Sequence, residues 1–289
     1  MSESVCVVMR SFNDVDVIED TLDMVERQVG VDFQLWNFDS TSVDGTLDII
    51  RRHNSPERIV LNDSKDYNPG TVLNEAVART SSDIVVFINS DATPRNTDWL
   101  RNLIAPLRSG EAAATFGRQV ARSDCRSLFV KDTERAFGDG SQSAKWAHFF
   151  SMATSAARRE VLIEFPFETQ IQYSEDVEWS YRLKNAGFLV EYVADAIATH
   201  SHNYTLEQSY RRHFGEGKAD AWIFSRGEVN RSFVRYMAMP FGMEVLRDWA
   251  WALRRGSVDA VVHSIPLRFV QKWGRWRGLM AGISEYEHA

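Results

Sequence analysis

Five apolar, β-favouring residues, Ile84, Val85, Val86, Phe87 and Ile88, run without a break into Asn89-Ser90-Asp91. A run that is apolar at odd and even positions alike suits a strand covered on both faces, as in a mostly parallel sheet. Similar short runs recur near 5–9, 34–38, 58–61 and 113–116, and helical periodicity fills the gaps at about 15–28, 45–53, 70–79 and 97–107. This βαβ rhythm predicts an α/β fold with a mixed, mostly parallel sheet flanked by helices. Asn96 or Thr97 is expected to cap the last of these helices, with Asp98 in its first turn. Farther on, 174–185 reads as a helix stopped by Gly187, 188–193 as a strand and about 206–224 as a helix. The polar, Gly/Ser-bearing stretch 122–145 reads as a mobile loop over a cleft.

Composition narrows the class. With 289 residues and 44% hydrophobic content the chain can bury a large core. Cys6 and Cys125 cannot form a disulfide framework, which favours a reducing compartment, and Cys6 sits in an apolar run. No apolar stretch is long enough to span a bilayer and the first 20 residues are too polar for a signal peptide, so a cytoplasmic, soluble protein is expected. The net charge of −7 argues against nucleic acid as a partner. That charge is uneven: residues 231–280 hold nine cations (Arg231, Arg235, Arg247, Arg254, Arg255, Arg268, Lys272, Arg275, Arg277) against Glu244, Asp248 and Asp259, a net of +6, and with Glu285 and Glu287 beyond them residues 1–230 are left at −11. Two domains follow, 1–228 and a basic, helical extension 229–289. Trp249, Trp251, Trp273 and Trp276 stand among those cations, a pattern that fits either an anionic membrane surface or packing against protein.

Open α/β sheets bind ligands outside the carboxyl ends of their strands, and polar clusters stand at several of them. Asn89-Ser90-Asp91 alone reads as a turn, or as a carboxylate holding a divalent metal against phosphate. Arg10-Ser11-Phe12-Asn13-Asp14 follows the first strand, and Asp39 through Thr46 follows the second. Asp39 reads as a turn residue or as an acceptor for a base imide N–H, with Ser11 and Asn13 beside it. Glu175-Asp176 opens a helix, where acids favour the helix dipole or supply a general base, while Glu178 is expected in solvent. His200, paired with Asp91, offers a nitrogen and an oxygen suited to Mn2+ or Mg2+. Arg211 and Arg212 could neutralise a departing diphosphate.

Taken in order, these segments resemble the family 2 glycosyltransferases with the GT-A fold, especially the bacterial branch that includes rhamnosyltransferases. The match runs through Val7-Val8-Met9-Arg10-Ser11-Phe12-Asn13, Asp39 through Thr46, Asn68-Pro69-Gly70 with Asn74, and Asn89-Ser90-Asp91 at the DXD position. It continues with Glu175-Asp176, Arg182 and Gly187, then His200-Ser201-His202-Asn203-Tyr204-Thr205. The resemblance implies a Rossmann-like GT-A sheet and a metal-dependent inverting transfer. The donor would be a dTDP-, UDP- or GDP-linked sugar, rhamnose or another hexose, and the acceptor a hydroxyl of a glycan or lipid-linked acceptor in bacterial surface polysaccharide synthesis. It implies Asp176 as base with Glu175 beside it and Asp91 with His200 on the metal. Arg10, Ser11, Asn13, Asp39, Asn68, Gly70, Asn74, Asn89, Ser90, Asp91, Arg211 and Arg212 would bind the nucleotide-sugar, and Trp179 the acceptor. A peripheral position on the inner face of the cell membrane suits such an acceptor.

Asn89 departs from the family pattern by replacing the first acid of DXD, which leaves a non-catalytic nucleotide-sugar or glycan-binding module as a rival. Glu175-Asp176 and His200 speak against it. A sugar nucleotidyltransferase would carry a Gly-rich, basic loop after the first strand, and here 10–14 holds no Gly.

Overall fold

The computed structural model describes residues 3–141, 148–225 and 232–287. Residues 142–145 of the expected loop and 229–231 at the start of the expected extension, Arg231 included, lie outside the described residues. The chain divides into two compact units, one of Met1–Arg122, Thr133–Thr169 and Glu175–Ser201, the other of Ser123–Asp132, Gln170–Ser174 and His202–Ala289.

The first unit is built on an eight-stranded sheet. Its strands are β1 (Val5–Ser11), β2 (Phe33–Asp39), β3 (Ile59–Leu61), β4 (Ile84–Asn89), β5 (Thr93–Pro94), β6 (Ala114–Val120), β7 (Thr154–Arg158) and β8 (Val190–Thr199), in the order β3-β2-β1-β4-β7-β6-β8-β5. Neighbours among β1 to β4 run parallel, as do β6 and β8, whereas β7 is antiparallel to both its neighbours and β5 to β8. The sheet is therefore mixed.

Alternation on the central strands explains their unbroken apolar runs. Val5, Val7, Met9, Ile84, Val86 and Ile88 face one core with α1 (Ile18–Glu26) and α4 (Trp99–Arg108). Cys6, Val8, Val85 and Phe87 face the other with α3 (Pro69–Arg79) and α7 (Glu175–Asn185). Full burial of each such side chain contributes about 1.5–3 kcal/mol, and a one-residue slip would exchange the two faces. The register at the strand ends is fixed by these cores. Burial also pushes the Cys6 thiol up to about 11, in keeping with a core residue.

Several sequence expectations are corrected. The helix near residue 97 begins at Trp99 with Asp98 at its N-cap, while Asn96 Oδ1 accepts from the Asp98 N–H at 3.1 Å. Residues 194–199 continue β8: the pairing with β6 jumps from Val193 to Ile197 at Gly117/Arg118, where a Cβ on Gly117 would lie 2.5 Å from the Ala196 carbonyl oxygen. The strand resumes after this bulge, and the His200 N–H donates to the Val120 carbonyl at 2.9 Å. Within the stretch expected to be a loop lies a helix, α5 (Ser127–Phe137).

The second unit holds α8 (Leu206–Ser225), α9 (Met239–Arg255) and α10 (Val258–Glu287). Small residues let α8 lie against α10 backbone to backbone: a Cβ on Gly278 would fall 1.9 Å from the Phe214 carbonyl oxygen. The second unit takes in His202 onward, α8 included. Much of the basic character expected of the extension is spent internally. Arg268 is paired with Asp248 at 2.7 Å and with Asp132 at 2.7 Å, Lys131 also meets Asp248, and Arg275 meets Asp220 at 2.6 Å. Breaking a buried pair such as Lys131–Asp248 leaves an uncompensated charge, so the links of Lys131 and Asp132 anchor the 127–132 turn of α5 within the unit.

Candidate functional site

Parallel pairing sets Ser11 opposite Asp39 and Arg10 opposite Asn89, so three separate motifs meet at the carboxyl edge of β1, β2 and β4. Arg10 is the hub. Its Nη2 donates to Asn89 Oδ1 at 3.0 Å, and its Nη1 lies 3.6 Å from Glu175 Oε1, with both ionised side chains only 13% and 12% exposed. Burial acts to lower the Arg10 pKa, but Tyr67, Glu175 and Asp176 outweigh it and leave the pKa above its ordinary value. The guanidinium therefore stays charged beside the two carboxyls. Asp176 Oδ1 accepts from the Val177 N–H at 2.8 Å and Oδ2 from the Met152 N–H at 3.4 Å.

Asp91 and His200 also meet, with Oδ1 and Nε2 3.5 Å apart. The tautomer follows from Gln119. Its amide NH2 donates to Ser151 Oγ at 2.8 Å, and its oxygen lies 2.7 Å from His200 Nδ1, so Nδ1 is the donor. Nε2, the acceptor atom of that tautomer, then faces the Asp91 carboxylate, so the two electron-pair donors converge on one position. One imidazole nitrogen and one carboxylate oxygen, oriented by an outer hydrogen bond, fit Mn2+ or Mg2+. Arg122 donates to the Asp91 carbonyl. Ser90, almost fully buried, donates to Asp14, whose pKa burial raises while the bonds from Ser90 and Phe12 oppose it and Asp91 and Asp44 add to it.

The loop after β2 is closed on itself. Asp39 is fully buried: Oδ2 accepts from Ser11 Oγ and Ser42 Oγ, each at 2.7 Å, and Oδ1 from the Ser42 N–H at 2.7 Å. Any bond to a nucleobase requires the 40–42 turn to yield. Asn13 Oδ1 accepts from the Val43 N–H at 2.9 Å, tying this loop to the one after β1. Among the described residues the non-glycine positions with positive φ are Asn13 (54°), Thr41 (56°) and Ser174 (61°). Each stands in a site loop or beside Glu175.

Other expected contacts go elsewhere. Asn68 caps α3 and donates to the Thr169 carbonyl at 2.9 Å, and Asn74 clasps both backbone groups of Phe167 at 2.8 and 2.9 Å. Gly70 admits the same segment, since a Cβ there would lie 2.1 Å from the Glu168 carbonyl oxygen. These three hold residues 167–169 against α3. Gly70→Ala should destabilise the protein by about 1–3 kcal/mol, whereas Gly242→Ala, with nothing within 4 Å of the new methyl, should be neutral or stabilising; thermal melts of the two check this.

Trp179 is not at an acceptor surface: it is fully buried, stacks on Phe167 at 5.2 Å and donates to the Phe165 carbonyl at 2.7 Å. Glu178, expected in solvent, is buried and accepts from Arg182 at 2.6 Å. Arg211 and Arg212 belong to the second unit, half or more exposed and paired with Glu207 and Glu216. Sequence reasoning passed over Gln119, Ser151 and Arg122. The only signal for Gln119 was a polar residue near a strand end.

The strand order and the strand-end cluster place the chain with the GT-A glycosyltransferases. A mannosyltransferase from Pyrobaculum calidifontis, solved in complex with GDP-Man and Mn2+, shares this fold at a TM-score of 0.67 and 18% identity over 99% of this chain and 88% of that one. Residues 6–165 match Glycosyl transferase family 2, and the chain belongs to that family. It is 29% identical to the O-antigen chain rhamnosyltransferase RfbN of Salmonella typhimurium (strain LT2) over 76% of this chain and 74% of the relative. The O-antigen chain rhamnosyltransferase WbaN of Salmonella anatum is 30% identical over 68% and 67%.

Proposed function

We propose that this glycosyltransferase is metal-dependent and inverting, and that it moves rhamnose or another hexose from a nucleoside-diphosphate sugar to a hydroxyl of a glycan or lipid-linked acceptor in bacterial surface polysaccharide synthesis. One observation carries the reading: Arg10 links the DXD-position residue Asn89 to the acidic pair Glu175-Asp176, so that a diphosphate site and a proton acceptor share one strand edge. The two Salmonella relatives are O-antigen chain rhamnosyltransferases, which favours rhamnose as the sugar, carried on dTDP, with UDP- and GDP-sugars as the alternatives.

In this reading Asp176 takes the acceptor hydroxyl proton as the new glycosidic bond forms, with the Arg10 guanidinium beside it. Glu175 holds Arg10 in place. Mn2+ or Mg2+ held by Asp91 and His200 would supply Lewis-acid stabilisation of the charge on the leaving diphosphate. Asn89 serves as a neutral partner of Arg10, leaving the guanidinium charge available to phosphate oxygens. Asp39 orders the base-facing loop through Ser11 and Ser42, and a cytoplasmic enzyme at the inner membrane face would meet an acceptor carried on lipid.

A panel of dTDP-, UDP- and GDP-sugars, scored by nucleoside diphosphate release with Mn2+ or Mg2+ and with lipid-linked glycan acceptors, tests this. Acceptor-dependent release from dTDP-rhamnose is expected. Binding of a donor without release under any pairing would favour the non-catalytic module.

A further inference from the structure

No helix among the described residues is long and apolar enough to cross a membrane, yet α9 and α10 carry a large exposed apolar face. On α9 it consists of Met239, Met243, Leu246 and Leu253; on α10, of Val258, Val262, Ile265 and Phe269, all between 41% and 80% exposed. Spacings of three, four or seven residues put each set on one side of its helix. The opposite sides, with Val245, Asp248 and Ala252 on α9 and Ala260, Ser264 and Leu267 on α10, are buried. Trp249 Nε1 donates to Ser264 Oγ at 2.8 Å and seals the seam between the helices. Scattered exposed apolar residues are ordinary, but eight large ones in two adjoining stripes mark an interaction surface.

We propose that this α9–α10 face is a monotopic membrane-binding surface that inserts its aliphatic side chains into an anionic bilayer. Charge identifies the occupant. Arg235, Arg254 and Arg255 are exposed on or just before α9, and Arg247 is 47% exposed. The acids of α9 point inward: Asp248 is fully buried and Glu244 is 8% exposed, while Asp259 is the exposed acid at the hairpin. A rim of cations around an aliphatic face matches acidic lipid headgroups. A second copy of the chain would set the same cations against one another.

Of the tryptophans, which fit either a membrane surface or packing, Trp249 is 37% exposed, whereas Trp273 lies parallel to Phe269 at 6.3 Å and Trp276 packs edge-on against Phe233 at 5.3 Å. Leu, Val, Ile and Met, with Phe269, provide most of the outward surface. This inference is independent of the sugar chemistry, and its test needs no donor.

Co-sedimentation of the full chain with vesicles of equimolar phosphatidylglycerol and phosphatidylethanolamine, against pure phosphatidylcholine, reads it directly. Wild type should pellet with the anionic vesicles, less so at high salt. The triple variant Leu246→Asp, Leu253→Asp, Val262→Asp should bind at least about tenfold more weakly with unchanged circular dichroism. Arg235→Glu with Arg254→Glu, two exposed cations, should lose the preference for anionic lipid and serves if the triple variant does not fold. Equal pelleting of wild type and a folded triple variant overturns the proposal. So does a wild-type dimer that the triple variant dissociates while neither protein pellets, which would make the face an interface between copies.

Discussion

Asp176→Asn should abolish sugar transfer while leaving nucleotide binding close to wild type. Amide and carboxylate are alike in shape, so the bonds from the Val177 and Met152 N–H groups to Oδ1 and Oδ2 can be kept at least in part. The variant loses only the ability to take a proton at this atom. General-base catalysis is typically worth about 10²–10⁴-fold in rate, and a loss in that range or beyond is expected in kcat. Donor affinity, measured by calorimetry with a nucleoside diphosphate, should change little because Asp176 is assigned to the acceptor side. Near-normal turnover would move the base to Glu175 or remove this assignment altogether. A loss confined to KM would place Asp176 in binding.

A second large effect is expected at Asp91. Its carboxylate and His200 Nε2 are the donor pair suited to a divalent cation, and Gln119 sets the ring that completes it. Asp91→Ala should weaken nucleotide binding in the presence of Mn2+ and abolish the difference that Mn2+ makes. Removing an outer partner of a metal-ligating histidine typically costs about 10–100-fold in metal affinity; loss of the carboxylate itself should cost no less. Titration of wild type and Asp91→Ala with a nucleoside diphosphate, with and without Mn2+, is decisive. Equal affinity of the wild type in both conditions would eliminate the metal role.

The parts of the fold legible in the sequence were those whose signal is local. Strand β4 and most of β1 announce themselves because both faces are covered, so nearly every position is apolar; β2 and the start of β6 do so more weakly, with polar residues among them. Their polar ends then give away the strand-edge cluster, and Arg10, Asn89, Glu175, Asp91 and His200 do converge. α5 was not legible because part of its buried side is polar: Lys131 looks like a solvent residue until Asp248, 117 positions away, neutralises it. The same long-range pairing disguised Arg268 and Arg275 as free surface charge.

The backbone contacts of Asn68 and Asn74 were hidden for a different reason. An asparagine that grips a backbone segment and one that grips a ligand have the same composition and the same spacing. Trp179 lies on a helix that carries Asp176, and nothing in the sequence tells which side of that helix meets the core. Gln119 acts through His200 across a strand pairing with a register jump, which no pattern along the chain could show.

The left-handed residues have a consequence for how the site keeps its shape. Glycine would relax the backbone at Asn13 and Thr41, where a side chain at positive φ costs about 1–3 kcal/mol. The chain instead keeps residues whose side chains act as rivets: Asn13 Oδ1 accepts from the Val43 N–H, and Thr41 Oγ1 donates to the Ser40 carbonyl. Strain in the backbone is thereby exchanged for loss of loop freedom. The sheet's doubly covered core provides the stability that tolerates this, and the entropy of ordering these loops is largely met during folding and not when a donor arrives.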